Sequence, residues 1–255
     1  MPMLEAKNLC VTYKTKNGTI TAMDNVSLDI EEGEFICLLG PSGCGKSTFL
    51  NIVAGFLTPT SGEITLDGKR ITKPGRERGV VFQEHALFPW LTIKNNILFG
   101  LKLRNVAKQE QEEELDKYLD MMGLTRFKDS FPKELSGGMR QRTSIARALI
   151  NKPRTLLMDE PFSALDEQTR RKLQDELVKI WSRERVTIIF ITHSIDEALI
   201  LADKVVVMTP RPGRIHTIYD MRNYARPRDE TSEDMLKIKQ EIGEILKMKA
   251  EEEGN

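Results

Sequence analysis

The 255-residue sequence has few cysteines, no excess charge of either sign and no long apolar run. Its three cysteines form no CxxC pair, and the odd number argues against a disulfide framework, so we expect reduced thiols. Thirty-eight basic and 38 acidic residues cancel, which gives no electrostatic reason to expect a nucleic acid partner. No apolar run reaches the roughly 18 to 20 residues that span a bilayer, and the N-terminus does not resemble a signal peptide. These absences predict a cytoplasmic protein.

The stretch GPSGCGKST, residues 40–48, is the first of two glycine-rich segments that precede a helix-forming run. It satisfies the pattern G-x-x-x-x-G-K-[ST], follows the apolar strand EFICLLG and opens the predicted buried helix FLNIVAGF. In such a loop the backbone amides close around phosphates, Lys46 reaches the β- and γ-phosphate oxygens, and Ser47 ligates Mg²⁺. We therefore predict a nucleotide-binding loop made of Gly40, Pro41, Ser42, Gly43, Cys44, Gly45, Lys46, Ser47 and Thr48.

The second glycine-rich segment is LSGGMRQR, residues 135–142. Ser136, Gly137 and Gly138 stand before a helix-forming run, where outward N–H groups and the helix dipole favour an anion. This segment has no lysine at the position that Lys46 occupies in the first loop.

Two acidic residues follow the apolar strand TLLMDE. Asp159 is predicted to emerge at the end of the strand as a second Mg²⁺ ligand. Glu160 should point the other way along the strand period, where it polarises a water in line with the γ-phosphate. The alternative is that the two acids form a helix N-cap, and Pro161 with Asp166 does suggest a turn into a helix.

Three further polar residues are candidates for nucleotide contact. His193 ends the apolar strand VTIIFIT, and its Nε2 can donate to a γ-phosphate at a nucleotide-bearing sheet edge, although a lone histidine is usually an ordinary surface or core residue. Gln83 follows a strand and is placed to touch Mg²⁺ or its water, but a solvated glutamine gives the same pattern. Tyr13 offers a surface for stacking on adenine, against the alternative of an ordinary half-buried tyrosine.

Apolar strands alternate with amphipathic helices in the second half of the chain, which predicts a parallel sheet covered on both faces. Residues 4–36 and GEITLDG predict an antiparallel β region, with a turn at Asn17-Gly18. Residues 105–150 show no strand pattern until TLLMDE and predict a helical segment. The residues from 231 onward repeat apolar side chains at helical spacing, namely Met235, Ile238, Ile242 and Ile245.

Six separated motifs resemble, in order and rough spacing, those of ABC-transporter ATPase subunits: GPSGCGKST, Gln83, LSGGMRQR, TLLMDE, SALD and THS. The resemblance runs from Tyr13 to about residue 215. It implies an α/β fold with a P-loop NTPase core and mainly parallel sheet, an N-terminal antiparallel β subdomain and an inserted helical subdomain at about 90–150. Residues 1–230 would form the ATPase domain, and residues 231–255 a C-terminal amphipathic helix and charged tail. Met139 stands where the family most often has Gln.

The resemblance implies an ATPase whose cofactors are ATP and Mg²⁺. The LSGG segment would close over the γ-phosphate of an ATP held by a second, head-to-tail copy, which explains its missing lysine. The resemblance also implies a role for each site residue. Tyr13 stacks on adenine, Asp166 contacts the second copy, His193 senses the γ-phosphate and Gln83 couples to the membrane subunit. The catalytic residues would be Glu160, His193 and Gln83, and the Mg²⁺ ligands would be Ser47, Gln83 and Asp159.

Two rival classes fit the sequence less well. A GTPase needs N-K-x-D, and the only candidate, NKPR at 151–154, has Arg154 in place of the acid. A soluble ABC ATPase of DNA repair or translation usually has two ATPase units or a long insertion, whereas this chain has a single unit. The resemblance therefore predicts a peripheral protein on the cytoplasmic side of the membrane. Its partners would be a second copy of itself, permease subunits and, indirectly, a solute-binding protein, with no nucleic acid.

The segments LFPWLTIKNNILFG and ARPRDE resemble the ATPases of nitrate, sulfonate and taurine importers, which predicts a small anionic solute. The apolar residues of HALFPWLT, residues 85–92, have two readings: they fill a seam in the core, or they line a groove for a helix of the membrane subunit, with Trp90 and then Phe88 as anchors. Cys44, close to Lys46 at a helix N-terminus, is predicted to be a reactive thiolate that ATP protects, against the alternative of an inert thiol pinned in the loop.

Overall fold

The structure, a computed structural model, describes residues 2–16 and 18–253. The chain forms two compact units: the first contains residues 1–75 and 185–255, and the second contains residues 76–184.

The elements follow one another along the chain in three stretches. The first unit begins with β1 (Leu4–Thr15), β2 (Gly18–Ile30), β3 (Phe35–Leu39), α1 (Lys46–Ala54), β4 (Ser61–Leu66) and β5 (Lys69–Arg70). The second unit has β6 (Arg78–Val81), α2 (Ile93–Leu103), α3 (Lys108–Met121), α4 (Gly137–Leu149), β7 (Thr155–Asp159) and α5 (Glu167–Glu184). The first unit resumes with β8 (Thr187–Thr192), α6 (Ile195–Leu201), β9 (Lys204–Met208), β10 (Ile215–Asp220) and α7 (Glu233–Glu253).

The N-terminal sheet of the first unit is antiparallel, with strand order β2-β1-β4-β5. This confirms the antiparallel region predicted from residues 4–36 and GEITLDG. The pairing of β1 with β2 reaches Thr15 and Gly18, while Asn17 of the predicted turn lies outside the described residues.

The other strands of the first unit have the order β10-β9-β3-β8. β3 pairs in parallel with β8 on one side and β9 on the other, and β10 is antiparallel to β9. All residues of β3 and β8 are buried, as expected for parallel strands covered on both faces. Leu39 lies opposite Thr192 of β8 and Val207 of β9, so the loops after these three strands leave the sheet at one edge.

The second unit joins a parallel pair, β6 and β7, to a set of helices. Its helix α2 packs on both α3 and α4, and α4 also packs on α5. The α3 helix buries Leu115, Tyr118 and Leu119 and gives way to Gly123 at φ 63°, as the spacing of its apolar residues predicts. The α/β class, with mainly parallel strands, an antiparallel N-terminal region and a helical insertion, is confirmed.

The C-terminal helix α7 packs on α6, buries Met235 and Ile242, and pairs Lys239 with Asp196 at 2.6 Å. The last two residues of the predicted charged tail, 254 and 255, lie outside the described residues. Across the described ranges, every helix is too short or too polar to cross a membrane.

Candidate nucleotide site

The phosphate loop connects β3 to α1 and is shaped by glycine. Gly45 caps α1 at φ 95°, and a Cβ there would lie 3.1 Å from the carbonyl oxygen of Ala22, so any other residue would be both strained and crowded. Ser42, Gly43 and Ser47 face solvent. The loop therefore presents backbone and hydroxyl groups outward at the N-terminus of a nine-residue helix, which is the geometry of an anion cradle.

The lysine of this loop is buried and folded back on the backbone. Lys46 is 6% exposed, and its Nζ donates to the carbonyl oxygens of Gly40 at 2.7 Å and Pro41 at 2.9 Å. No acidic residue occurs in residues 40–48, so the loop offers positive charge and N–H groups together. The residues present fit the triphosphate of ATP, whose negative charge complements both.

The prediction of a reactive Cys44 is wrong. The Cys44 side chain is fully buried, and this burial raises the pKa of its thiol despite the nearby Lys46 ammonium. A Cβ on Gly40 would lie 2.8 Å from Cys44 Sγ, so the thiol points beneath the loop. The sequence showed the charged neighbour but not the direction of the side chain.

His193 and the phosphate loop are brought to the same edge of the sheet. His193 follows Thr192, the last residue of β8, and Thr192 is the register partner of Leu39, which immediately precedes the loop. The imidazole is exposed. Tyr13 is 42% exposed on β1 of the N-terminal sheet, which leaves an aromatic face accessible.

Glu160 departs from the conformation that strand alternation predicts. β7 ends at Asp159, and Glu160 has φ 42°, in the left-handed region that non-glycine residues rarely adopt. Both Ser163 N–H (3.2 Å) and Ser163 Oγ (2.9 Å) donate to the Glu160 carbonyl oxygen, which fixes the turn. Asp159 is the last residue of the strand, as predicted, whereas Glu160 leaves the strand and enters a turn. Neither acid caps α5, which begins at Glu167.

Gln83 and Glu160 are linked through Ser163, the first residue of the SALD motif, whose bridging role the sequence did not predict. Gln83 Nε2 donates to Ser163 Oγ at 3.3 Å, and that hydroxyl donates onward to the Glu160 carbonyl. Gln83 follows β6, whose Val81 pairs with Met158 of β7, so the two strand ends meet. A serine three residues after the acid is compatible with this turn, but a single serine does not reveal it.

The Ser136-Gly137-Gly138 segment forms the N-terminus of α4, as predicted. Ser136 caps the helix by accepting from the backbone N–H of Met139 at 3.3 Å. A Cβ on Gly138 would lie 2.8 Å from Thr169 Cγ2, so the glycine allows α4 to approach α5. Asp166 accepts from Thr169 N–H at 3.0 Å and caps α5, and this hydrogen bond lowers the pKa of its carboxyl group.

The segment after Gln83 is held in an unusual conformation by α4. His85 and Ala86 have φ 56° and 45°, two consecutive left-handed residues that are not glycine. Arg147 donates to both carbonyl oxygens, at 3.1 Å to His85 and 2.7 Å to Ala86, and Ser144 Oγ donates to the His85 carbonyl at 3.0 Å. Gln141 Oε1 accepts from His85 Nδ1. We call these contacts of Gln141, Ser144 and Arg147 with residues 85–86 the clamp. No sequence pattern predicted it.

The apolar cluster of HALFPWLT is only partly buried. Trp90 is 71% exposed, and its ring lies 5.7 Å from that of Phe88. Phe88 in turn contacts Phe99 at 4.5 Å between ring centroids and lies beneath the Arg147 guanidinium at 5.6 Å. Phe88 therefore anchors the segment, while Trp90 extends into solvent.

These features define a P-loop nucleotide-binding protein. They are a phosphate loop at the edge of a mainly parallel sheet, a lysine-free glycine segment and an acid at the end of a strand. A family profile described as ABC transporter matches residues 23–163. The chain belongs to the ABC transporter family and is an ATP-hydrolysing subunit.

Individual relatives extend this comparison over most of the chain. The taurine import ATP-binding protein of Roseobacter denitrificans is 50% identical over 86% of this chain and 82% of its own. The nitrate import ATP-binding protein of Synechocystis sp. is 43% identical over 98% and 97%, respectively. A solved dimeric ATP-binding cassette in a post-hydrolysis state, bound to ADP and Pi, superimposes with a TM-score of 0.77 at 34% identity, covering 86% of this chain and 99% of that one. The predicted fold and ATPase activity are confirmed.

Proposed function

We propose that this chain powers an importer of a small anionic solute, of the nitrate, taurine or sulfonate kind. It works as a head-to-tail dimer at the cytoplasmic side of the membrane, attached to permease subunits that receive solute from a solute-binding protein. The support is that the relatives named above are import ATP-binding proteins for nitrate and taurine, together with the exposed Trp90 in the segment that follows Gln83.

One observation supports the proposed dimer. The first unit holds a phosphate loop with a lysine, and the second unit holds a helix N-terminus without one, Ser136 to Gly138, at which Ser136 is exposed and Gly137 is partly exposed. A lysine-free cradle serves as a lid for nucleotide bound by another copy, because backbone dipoles can stabilise phosphate charge without a cation of their own.

The proposal gives each site residue a role. Gly40 to Thr48 bind the phosphates, Tyr13 stacks on adenine, and His193 donates to the γ-phosphate. Ser47, Asp159 and Gln83 would hold Mg²⁺, and their hydroxyl, carboxylate and amide oxygens are ligands that Mg²⁺ accepts alongside substrate phosphates. When bound, the ion neutralises charge on the β- and γ-phosphate oxygens. Glu160 orients and deprotonates the attacking water, and Asp166 contacts the second copy.

The variant Glu160→Gln tests this proposal. The amide keeps the shape of the side chain but is a far weaker base, so ATP should bind while turnover falls by about 100-fold or more. Unhydrolysed ATP then stabilises the closed dimer by mass action. We expect gel filtration with ATP and Mg²⁺ to show a dimer.

The double variant Glu160→Gln/Lys46→Ala is the matched control and should remain monomeric, because it lacks the cation that binds the phosphates. A monomeric peak for the single variant at micromolar protein and saturating ATP contradicts the proposed dimer.

A further inference from the structure

A loop after β9 lies directly against the phosphate loop within the first unit. Residues 209–214, TPRPGR, leave the sheet at the same edge as residues 40–45, since Leu39 pairs with Val207. A Cβ on Gly213 would overlap the carbonyl oxygen of Cys44, so the two backbones are in contact. Gly213 N–H also donates to Ala22 O at 3.0 Å, and Asp24 N–H donates to Gly213 O at 3.0 Å.

This loop is closed on itself as well as anchored. Thr209 N–H donates to Arg214 O at 2.9 Å, and Arg214 N–H donates to Thr209 Oγ1 at 3.1 Å. Its position is thus set by backbone hydrogen bonds to β2 and by those within the loop, and Gly45 of the phosphate loop lies close to the same Ala22 carbonyl. Side chains on the loop are held at a defined place beside the nucleotide cradle.

The loop carries two arginines with different surroundings. Arg214 is neutralised, because its guanidinium pairs with Asp24 through Nε at 3.0 Å and through Nη2. Arg211 is exposed, and within residues 2–16 and 18–253 it has neither an ion-pair nor a hydrogen-bond partner. Its Nη2 lies 3.3 Å from the point that a Cβ on Gly43 would occupy, so the cation sits over the tip of the phosphate loop.

We propose that Arg211 is a further nucleotide-binding residue, whose guanidinium pairs with the phosphate chain of a nucleoside di- or triphosphate. Arginine presents several donors in a planar fork that matches phosphate oxygens. An exposed cation beside an acid-free anion cradle strengthens the binding of any polyphosphate there, and it does so by charge rather than by contact with the base. This inference rests on the proposed binding of ATP at the same loop.

The test compares Arg211→Gln with Arg214→Gln by titration calorimetry, using ATP, ADP and AMP as probes. Arg211→Gln should weaken ATP and ADP binding by about five- to tenfold, the effect of one ion pair near the surface. AMP, which lacks the β- and γ-phosphates, should bind to both variants as it binds to the wild type. Arg214→Gln removes an equal charge from the same loop, but one that Asp24 already neutralises, so its ATP affinity should stay within twofold of wild type.

Two further measurements sharpen the result. Arg211→Lys should recover part of the ATP affinity, and the affinity of the wild type should fall more steeply with added salt than that of Arg211→Gln. Thermal melting checks the fold, and Arg211→Gln should melt with the wild type because the side chain is exposed.

Three outcomes overturn the inference: ATP affinity of Arg211→Gln within twofold of wild type, an equal loss for AMP, or an equal loss in Arg214→Gln. An equal loss of AMP affinity would mean that the substitution disturbs the shape of the phosphate loop or the binding of the base. Failure of the wild type to bind ATP is a different result, since it would overturn the proposed function itself.

Discussion

Cys44 shows how a single side chain can reverse an expectation that its neighbours support. Proximity to Lys46 and to the start of α1 favours a thiolate, whereas burial favours the neutral thiol. The structure places the thiol beneath the loop, fully buried, so burial dominates and the pKa is raised. The chemistry of a cysteine thus depends on the side of the loop to which it points.

Alkylation of the native protein distinguishes the two cases. Cys37 and Cys44 are buried, and Cys10 is partly exposed, so iodoacetamide should label Cys10 alone until the chain is unfolded. Saturating ATP should leave the labelling rate unchanged. Peptide mass spectrometry locates the label, and fast labelling of Cys44 that ATP slows would contradict the buried position.

At the scale of single residues, the sequence predicted which residues belong to the site better than it predicted their backbone conformation or where their side chains point. Lys46, Ser47 and His193 could be proposed because each stands at a fixed offset from a strand end. The left-handed turn at Glu160 could not be predicted, because a φ of 42° at a non-glycine residue leaves no compositional trace. The bridging role of Ser163 depends on that turn and was missed for the same reason.

At the scale of elements, α4 has a second use besides presenting Ser136 to Gly138. Gln141, Ser144 and Arg147 lie three residues apart on one face of the helix and hold His85 and Ala86 in their left-handed conformation. Strained backbone of this kind persists only where surrounding contacts over-determine it. The segment that follows Gln83 is therefore tied mechanically to the helix that begins with Ser136 to Gly138.

Arg147→Met should expose the contribution of this clamp to stability. The substitution removes two charge-assisted hydrogen bonds, which costs about 1.5 to 3 kcal/mol, and the His85 carbonyl keeps only its hydrogen bond from Ser144. Thermal melting should fall by several degrees in a domain of this size. Arg142→Met is the control on the same helix, because it loses only a part-exposed ion pair with Glu176 and should melt close to wild type. Equal melting temperatures of the two variants would mean that the clamp contributes little.

Strands and helices were readable where the pattern was long and regular. The apolar runs of β7, β8 and β9 and the spacing of Leu115, Tyr118 and Leu119 in α3 predicted their elements directly. The clamp between α4 and residues 85–86 could not be predicted, because it joins side chains to backbone carbonyls about 60 positions apart.

On the scale of the whole molecule, the basic stretch ARPRDE has a structural reason. Arg226 donates to Leu201 O at 2.6 Å, and Arg228 donates to Leu199 O at 2.6 Å, so the two arginines satisfy the last carbonyl groups of α6. Burial lowers the pKa of Arg228 to about 10. The stretch ARPRDE, whose resemblance to anion importers suggested the solute, thus also stabilises the C-terminal end of α6.

The attachment of the subunit to its membrane partner is testable at Trp90. Its side chain is 71% exposed, so Trp90→Ala should leave thermal stability and the ATPase activity of the isolated subunit nearly intact. Docking of a helix against an aromatic anchor would then be lost, and co-purification with the permease subunits of the same transporter should fall sharply. Leu103→Ala, 70% exposed, is the matched control. A large drop in melting temperature for Trp90→Ala would assign the residue to the core instead.

The position of β3 between β8 and β9 governs when this protein can mature during synthesis. Phe35 pairs with Ile188 and Ile36 with Lys204, so the strand that carries the phosphate loop gains its sheet partners only after residues 188 and 204 have been synthesised. The second unit, continuous from residue 76 to 184, has no such delay. A nascent chain thus exposes the apolar strand Phe35–Leu39 until β8 and β9 have been made, and an unpaired apolar strand of this kind is prone to aggregate.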